Sequence, residues 1–128
     1  MVLLDTSFII DFLEKLPEAM RIFEELEQDV MFVGTPSIAE LWLGVLLSKT
    51  PSQEKGKIEG FLKSCQIISL DEKSAKYAAE IEFYLRIRGQ SIGTYDIQIA
   101  AIAQAHGEIL VTGDADFARI EGLRILKY

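Results

Sequence analysis

The feature that most constrains the fold of this chain is a short apolar run, Met1 to Leu4, that stops at Asp5. A wholly apolar run of this length is typical of a strand covered on both faces, as in a parallel sheet. Apolar residues at helical spacing begin at Phe8, and Thr6 or Ser7 is predicted to cap that helix. Asp5 is therefore predicted at the carboxyl end of a central strand, the edge where open α/β sheets bind ligands.

Length and composition predict one domain that spans residues 1–128. The chain is near the commonest domain size, and a hydrophobic content of 49% is ample for one core. No uninterrupted apolar stretch approaches the roughly 20 residues that cross a bilayer. Asp5 and Asp11 stand in the N-terminal apolar region, which is unlike a signal peptide. We therefore expect a cytoplasmic protein with no membrane partner.

The charged and metal-binding residue types restrict the chemistry further. Thirteen Lys and Arg against twenty Asp and Glu give a formal net charge of -7. This excludes a strongly basic nucleic-acid binder, but it does not exclude a metal-bridged contact to phosphate. Cys65 and His106 are the single cysteine and histidine, too few for an internal disulfide or a structural zinc site. Any metal must be held by oxygens.

Strand-like apolar runs and helical patterns alternate along the chain. Further strands are predicted at 30–33, 66–70, 109–112 and 123–126. Helices are predicted to open at the N-caps Thr35 and Asp71 and again at Asp96. The polar stretch from Thr50 to Gly60 is predicted to be a loop that leads into a helix. The alternation predicts an α/β/α sandwich with a mainly parallel central sheet.

Four acidic residues occupy unusual places relative to these elements. Asp5 follows the first strand, and Asp114 follows the strand at 109–112. Glu40 lies in the second turn of one helix, and Asp96 opens another. Right-handed crossovers bring the carboxyl ends of parallel strands to one edge, so these carboxylates are predicted to converge and to favour a bound cation. Oxygen-only sites suit Mg²⁺ or Mn²⁺, which can activate water against a phosphodiester.

Each of these four acids also has a purely structural interpretation, which for Asp114 is that of a turn residue. Asp5 could be a cap, although Thr6 is predicted to supply that oxygen and to leave the acid free. Asp96 could be an N-cap, a common role for aspartate. Glu40 has capping-box spacing from Ser37. Pro36 argues against that box, because proline in the first helical position moves Glu40 too far along the helix.

Four segments carry a family resemblance. In chain order they are Leu3–Ile10, Pro36–Leu41, Tyr95–Ala103 and Leu110–Phe117. Their order and spacing resemble those of PIN-domain ribonucleases, and of the VapC toxins in particular, over essentially the whole chain. The resemblance implies a PIN-like fold and a Mg²⁺- or Mn²⁺-dependent endoribonuclease whose acidic cluster includes Asp5, Glu40 and Asp96. It also implies an antitoxin partner and a homodimer.

The last of these motifs departs from the family pattern. That pattern often reads Thr, any residue, Asn, two further residues and Asp-Phe, whereas the stretch from Thr112 to Phe117 is one residue shorter and contains two acids. Asp114 takes the place of the Asn and is predicted to be the fourth cluster member, with Asp116 in reserve. The hydroxyls of Thr6 and Thr112 are predicted to orient carboxylates or a water molecule.

Two alternative functions remain open beside RNA hydrolysis by a toxin. A receiver-like signalling domain would be phosphorylated on Asp71, although such domains need a lysine after a late strand and here Gly113 and Asp114 follow Thr112. A non-catalytic module would bind an antitoxin without cutting RNA. The identity of the RNA and the number of metal ions are left open.

Overall fold

The computed structural model describes all residues from Met1 to Tyr128, with five strands and six α-helices that alternate along the chain. The strands are β1 (Val2–Leu4), β2 (Met31–Gly34), β3 (Gln66–Ile68), β4 (Ile109–Thr112) and β5 (Ile125–Lys127). The helices are α1 (Thr6–Leu13), α2 (Pro17–Glu25), α3 (Thr35–Leu47), α4 (Pro51–Leu62), α5 (Glu72–Ile87) and α6 (Thr94–His106). A short 3₁₀ helix, Ala115–Arg119, follows β4.

All five strands are parallel and lie in the order β3-β2-β1-β4-β5. In the central strand, Leu4 pairs with Val33 of β2 on one side and with Val111 of β4 on the other. The chain builds outward from β1 to β3 and then returns to the other side of β1 as β4. This reversal makes the carboxyl ends of β1 and β4 a point where loops diverge and leave room for a ligand.

Helices cover both faces of the sheet because neighbouring strand residues point to opposite sides. Leu4 packs with Phe8 of α1 in a core that α1 to α4 complete. Leu3 packs on the other face with Ile99 and Ile102 of α6. All of these side chains are fully buried. The predicted α/β/α sandwich is confirmed, and its sheet is wholly parallel.

Two predicted helix caps are wrong. Asp5 itself is the N-cap of α1, and its Oδ1 accepts a 2.8 Å hydrogen bond from the backbone N–H of Thr6. Thr6 lies inside the helix. Gly34, and not Thr35, is the N-cap of α3, while the Thr35 hydroxyl accepts a 3.1 Å bond from the N–H of Leu70. In both places a hydroxyl expected to cap its own helix bonds elsewhere, which local sequence does not reveal.

The loop predicted from Thr50 to Gly60 is also wrong, because α4 begins at Pro51. Proline in the first helical position starts the helix, and ion pairs such as Lys57 to Glu54, at 3.4 Å, run along its exposed side. Its buried residues are Ile58 and Phe61. So small an apolar face gives a weak helical pattern. None of the helices is long and apolar enough to cross a membrane.

Candidate active site

Asp5 ends the central strand with its carboxylate almost completely buried, at 2% exposure. Its Oδ2 accepts hydrogen bonds from the hydroxyls of Ser7, at 2.6 Å, and Thr112, at 2.7 Å. Burial raises the pKa of Asp5 and the negative charge of Asp114 adds to this, while the hydrogen bonds from Ser7, Thr112 and Thr6 act in the opposite direction. A buried carboxylate of this kind is stabilised by a nearby cation.

Glu40 reaches the same region from the second turn of α3. Its Oε1 accepts a 2.7 Å hydrogen bond from the hydroxyl of Thr6 on α1, and the hydroxyl oxygen of Ser37 lies 3.0 Å from that of Thr6. Glu40 therefore bonds to the neighbouring helix, and a capping box with Ser37 does not form. Burial raises the pKa of Glu40 and the charge of Asp5 adds to the rise, whereas the bond from Thr6 opposes it.

Asp96 is the third residue of α6, whose N-cap is Gly93. The helix predicted to open at Asp96, with Ile97 as its first residue, therefore begins three residues earlier, and the alternative role of Asp96 as an N-cap is excluded. The half-buried side chain of Asp96 forms no hydrogen bond with any other group of the protein. Its pKa is raised to about 6, first by burial and then by nearby negative charges. Those charges belong to Asp5, Glu40, Asp114 and Asp116.

Asp114 and Asp116 lie in the turn that leaves β4. The N–H of Asp114 donates to the Thr112 hydroxyl at 3.0 Å, and Oδ1 of Asp114 accepts from the N–H of Asp116 at 2.9 Å. Asp116 faces Arg119, with 3.5 Å between its Oδ1 and Nη2. The charge of Asp114 raises the pKa of both Asp5 and Asp96, but that of Asp116 affects Asp96 alone. Of these two acids, Asp114 is therefore the one with the stronger electrostatic connection to the acidic cluster.

The other four acids singled out from the sequence therefore all raise the pKa of the fifth, Asp96. No three of these five acids stand in a geometry that would hold one metal ion directly. The donors are nonetheless carboxylate oxygens alone, which is what Mg²⁺ and Mn²⁺ prefer. Mg²⁺ commonly keeps several waters and takes only one or two carboxylates. The residues present fit such an ion with water in the remaining positions.

Sequence reasoning did not find two of the hydrogen-bonding partners at this site. The sequence predicts Ser7 as a possible cap, yet its hydroxyl bonds to Asp5 and lies 3.5 Å from that of Thr112. Ser37 is fully buried against Thr6. The available signals were a hydroxyl two residues after the strand-end acid and a serine one helical turn before Glu40.

The chain thus has a parallel α/β/α fold with Asp5 buried at the end of β1 and Asp114 half-buried after β4, and its sequence matches the PIN domain family over residues 2–123. The chain is 30% identical over 123 residues to the tRNA(fMet)-specific endonuclease VapC of Shigella flexneri, covering 95% of this chain and 93% of the relative. It is 33% identical over 125 residues to ribonuclease VapC2 of Haemophilus influenzae, covering 95% and 93%. The chain belongs to the VapC-type toxins of the PIN-domain family.

The structural comparison agrees with this assignment. A chain in the crystal structure of VapBC2 from Rickettsia felis, bound to a DNA fragment from its promoter, superposes with a TM-score of 0.91 at 30% identity, covering 99% of this chain and 98% of that one. The receiver interpretation is thereby excluded. Asp71 instead caps α5, where its side chain accepts a 2.8 Å bond from the N–H of Ser74 that lowers its pKa.

Proposed function

We propose that this chain is a Mg²⁺- or Mn²⁺-dependent endoribonuclease that hydrolyses phosphodiester bonds of RNA and acts as the toxin of a toxin-antitoxin pair. The observation that carries the proposal is the meeting of acids from distant segments at the carboxyl edge of the sheet, where Asp5 is buried and bonded to Thr112 and where Glu40 is bonded to Thr6. In the same place, burial and the other four carboxylates raise the pKa of Asp96 to about 6. Such a cluster is unfavourable without a cation. The relatives named as ribonucleases and as a tRNA-specific endonuclease give the substrate class.

The proposed ligands are Asp5, Glu40, Asp96 and Asp114, with Asp116 in reserve. A divalent ion bound there would supply Lewis acidity, which lowers the pKa of water and stabilises charge on a phosphodiester. Asp96 has no partner in the protein, so its oxygens are free for a cation or water. Asp5 and Glu40 are held in place by hydroxyls, which limits their movement when a ligand binds.

A mechanism based on histidine is not supported by the fold. Asp96 lies in the first turn of α6, and His106, the single histidine, is the last residue of the same helix. Ten residues of helix separate them by roughly 15 Å along the axis. A general base must reach the proton that it abstracts directly or through one water. His106 is therefore too far from the acidic cluster to serve it.

The proposed partners are an antitoxin protein and a second copy of the chain. The Rickettsia felis neighbour was solved as a VapBC2 assembly. Two helices of this chain expose large apolar side chains of the kind that interfaces cover. They are Leu43, Leu46 and Leu47 of α3 and Phe83, Tyr84 and Ile87 of α5. The cytoplasmic location expected from the sequence stays a prediction.

The decisive experiment compares the wild type with Asp5→Asn and with a matched control, Asp29→Asn. Asp29 precedes β2 at the opposite edge of the sheet and is exposed, 3.9 Å from the amino group of Met1. The wild type should cleave RNA, including initiator tRNA, with Mg²⁺ or Mn²⁺ and should stop in EDTA. Either ion should also raise its melting temperature, because a ligand that binds only the folded state stabilises it.

Asp5→Asn should lose both the cleavage and the metal-induced rise in melting temperature, while Asp29→Asn keeps both. Cleavage by a well-folded Asp5→Asn protein, or by the wild type in EDTA, would contradict the proposed mechanism. A wild type that binds an antitoxin but cuts no RNA at any metal concentration would instead support the non-catalytic alternative.

A further inference from the structure

Tyr128, which follows β5, packs onto helix α1. Its ring meets Phe8 edge to face, with 5.4 Å between the ring centroids and 76° between the planes. Its hydroxyl donates a 2.6 Å hydrogen bond to Oδ2 of Asp11, one turn further along the same helix. A bond from a phenol to a carboxylate is charge-assisted and short. Tyr128 is thus fixed to α1 at two places.

The same ring lies against the turn that leaves β4. A Cβ placed on Gly113 would come within 2.9 Å of Cζ and 3.0 Å of Oη of Tyr128. Real Cβ atoms do not approach other atoms so closely, so a side chain at position 113 would displace the ring. Gly113 stands between Thr112 and Asp114, and Tyr128 therefore connects α1 to the backbone of this turn.

The two segments that Tyr128 connects carry the two hydroxyls that hold Asp5. Ser7 is on α1, one turn before Asp11, and Thr112 is next to Gly113. Both donate to the same oxygen, Oδ2 of Asp5. Their own oxygens lie 3.5 Å apart, so a shift of α1 relative to the turn would break this arrangement.

The electrostatics of Tyr128 agree with this location. Its pKa is raised above the usual range for tyrosine, first by burial and then by the hydrogen bond to Asp11 and the charge of Asp11. Ser7 lowers it and the charge of Asp5 adds to the rise. The phenol is therefore in the immediate surroundings of the acidic cluster, although it bonds to none of the proposed ligands.

We propose that Tyr128 is a positioning residue, which fixes the distance between α1 and the β4 turn and thereby the orientation of Asp5 and Asp114. The inference rests on the proposed function. The ring supplies the packing on Phe8 and Gly113, and the hydroxyl sets the ring's position through Asp11. Tyr128→Phe separates these contributions, because it keeps the ring and removes only the bond to Asp11.

The test measures RNA cleavage and Mn²⁺ binding in the wild type and Tyr128→Phe. Loss of a group that orients metal ligands commonly costs about tenfold or more in activity or metal affinity. Tyr128→Phe should therefore lower kcat about tenfold. It should also raise the Mn²⁺ concentration at half saturation several-fold, because the proposed ligands would be less well oriented. KM for RNA should not change. The melting temperature in EDTA should stay close to that of the wild type, since the ring remains packed.

Two further variants complete the design. Asp11→Asn removes the charged acceptor of the same hydrogen bond, so it should have a similar effect, and the double variant should lose no more than either single variant. Tyr77→Phe is the matched control: this tyrosine belongs to α5 and packs against the other core, and its hydroxyl makes no hydrogen bond in the structure. It should leave kcat and Mn²⁺ affinity unchanged.

The outcomes distinguish this inference from the proposed function. A wild type that cleaves RNA with Mn²⁺, together with a Tyr128→Phe protein of equal kcat and equal Mn²⁺ affinity, would overturn the positioning role alone. The same conclusion follows if Tyr128→Phe loses activity only in proportion to its folded fraction. A wild type that neither binds Mn²⁺ nor cleaves RNA would overturn both.

Discussion

The hydroxyl of Thr112 donates a 2.7 Å hydrogen bond to Oδ2 of Asp5, between residues 107 positions apart in the sequence. Both side chains are buried at the carboxyl ends of neighbouring strands. The bond depends on the register of β1 and β4, in which Leu4 pairs with Val111. A slip of one residue would turn one of the two side chains to the opposite face of the sheet. The candidate active site is thus built on strand pairing.

Thr112→Val tests what this bond contributes to stability. Valine keeps the shape of threonine but removes the donor, and a buried charged acceptor that loses a partner costs about 1–3 kcal/mol. We expect the urea midpoint to fall accordingly at pH 7, while Thr112→Ser, which keeps the hydroxyl, stays closer to the wild type. Equal stability of the valine and wild-type proteins would show that water replaces the lost donor.

Thr6→Val tests the contact that holds Glu40. Removal of the 2.7 Å bond from Thr6 takes away the interaction that opposes the rise in the pKa of Glu40. Protonation of Glu40 should then extend to higher pH, so the acid limb of the pH profile of kcat should move upward. Thr6→Ser retains the donor and should keep the wild-type profile. An unchanged profile in the valine variant would mean that Glu40 does not take part in the rate-limiting step.

Asp114→Asn and Asp116→Asn distinguish the two candidates for the fourth acid. Asparagine at position 114 can still accept the hydrogen bond from the N–H of residue 116, so only the charge is lost. We expect Asp114→Asn to reduce cleavage about tenfold or more, in the range typical of groups that hold or orient a metal. Asp116→Asn should have a smaller effect, because Asp116 is paired with Arg119. The reverse order of the two effects would assign the role to Asp116.

The raised pKa of Asp96 predicts that the stability of the metal-free protein depends on pH. Its pKa of about 6 in the folded state exceeds the usual aspartate value of 3.8. Between these values the folded state binds more protons than the unfolded state, so its contribution to stability falls as pH rises through this window and is constant above it. Discounted for partial exposure, the loss is about 1 kcal/mol, or about 3 °C in melting temperature.

The measurement is thermal unfolding in EDTA from pH 4.5 to pH 8. Asp96→Asn should reduce the fall in melting temperature across this range, and the fall that remains belongs to Asp5 and Glu40, whose pKa values are also raised. At pH 7 the variant should be more stable than the wild type. Asp71→Asn is the control, because the lowered pKa of Asp71 confines its effect to more acidic solution. A fall of the same size in Asp96→Asn would assign the pH dependence to another carboxylate.

Local sequence was sufficient where one element determines its own structure. The apolar run before Asp5 predicted a strand buried on both faces, and the helix that Gly107 ends at φ 65° was predicted from its pattern. Asp71 was predicted as the N-cap that it is. The first part of helix α4 was predicted to be loop, because its exposed ion pairs and small buried face leave little apolar periodicity to detect. The five acids were also named from sequence, and their role as ligands stays a prediction.

The sequence by itself determined the alternation of strands and helices, and hence that acids at strand ends would lie at one edge of a parallel sheet. Tertiary structure alone decided which group bonds to which. Thr6 bonds to Glu40 instead of capping its helix, Ser7 and Thr112 share one oxygen of Asp5, and Tyr128 joins α1 to the β4 turn. The physical reason is that a hydroxyl satisfies local and distant acceptors equally well, so only the packed fold selects between them.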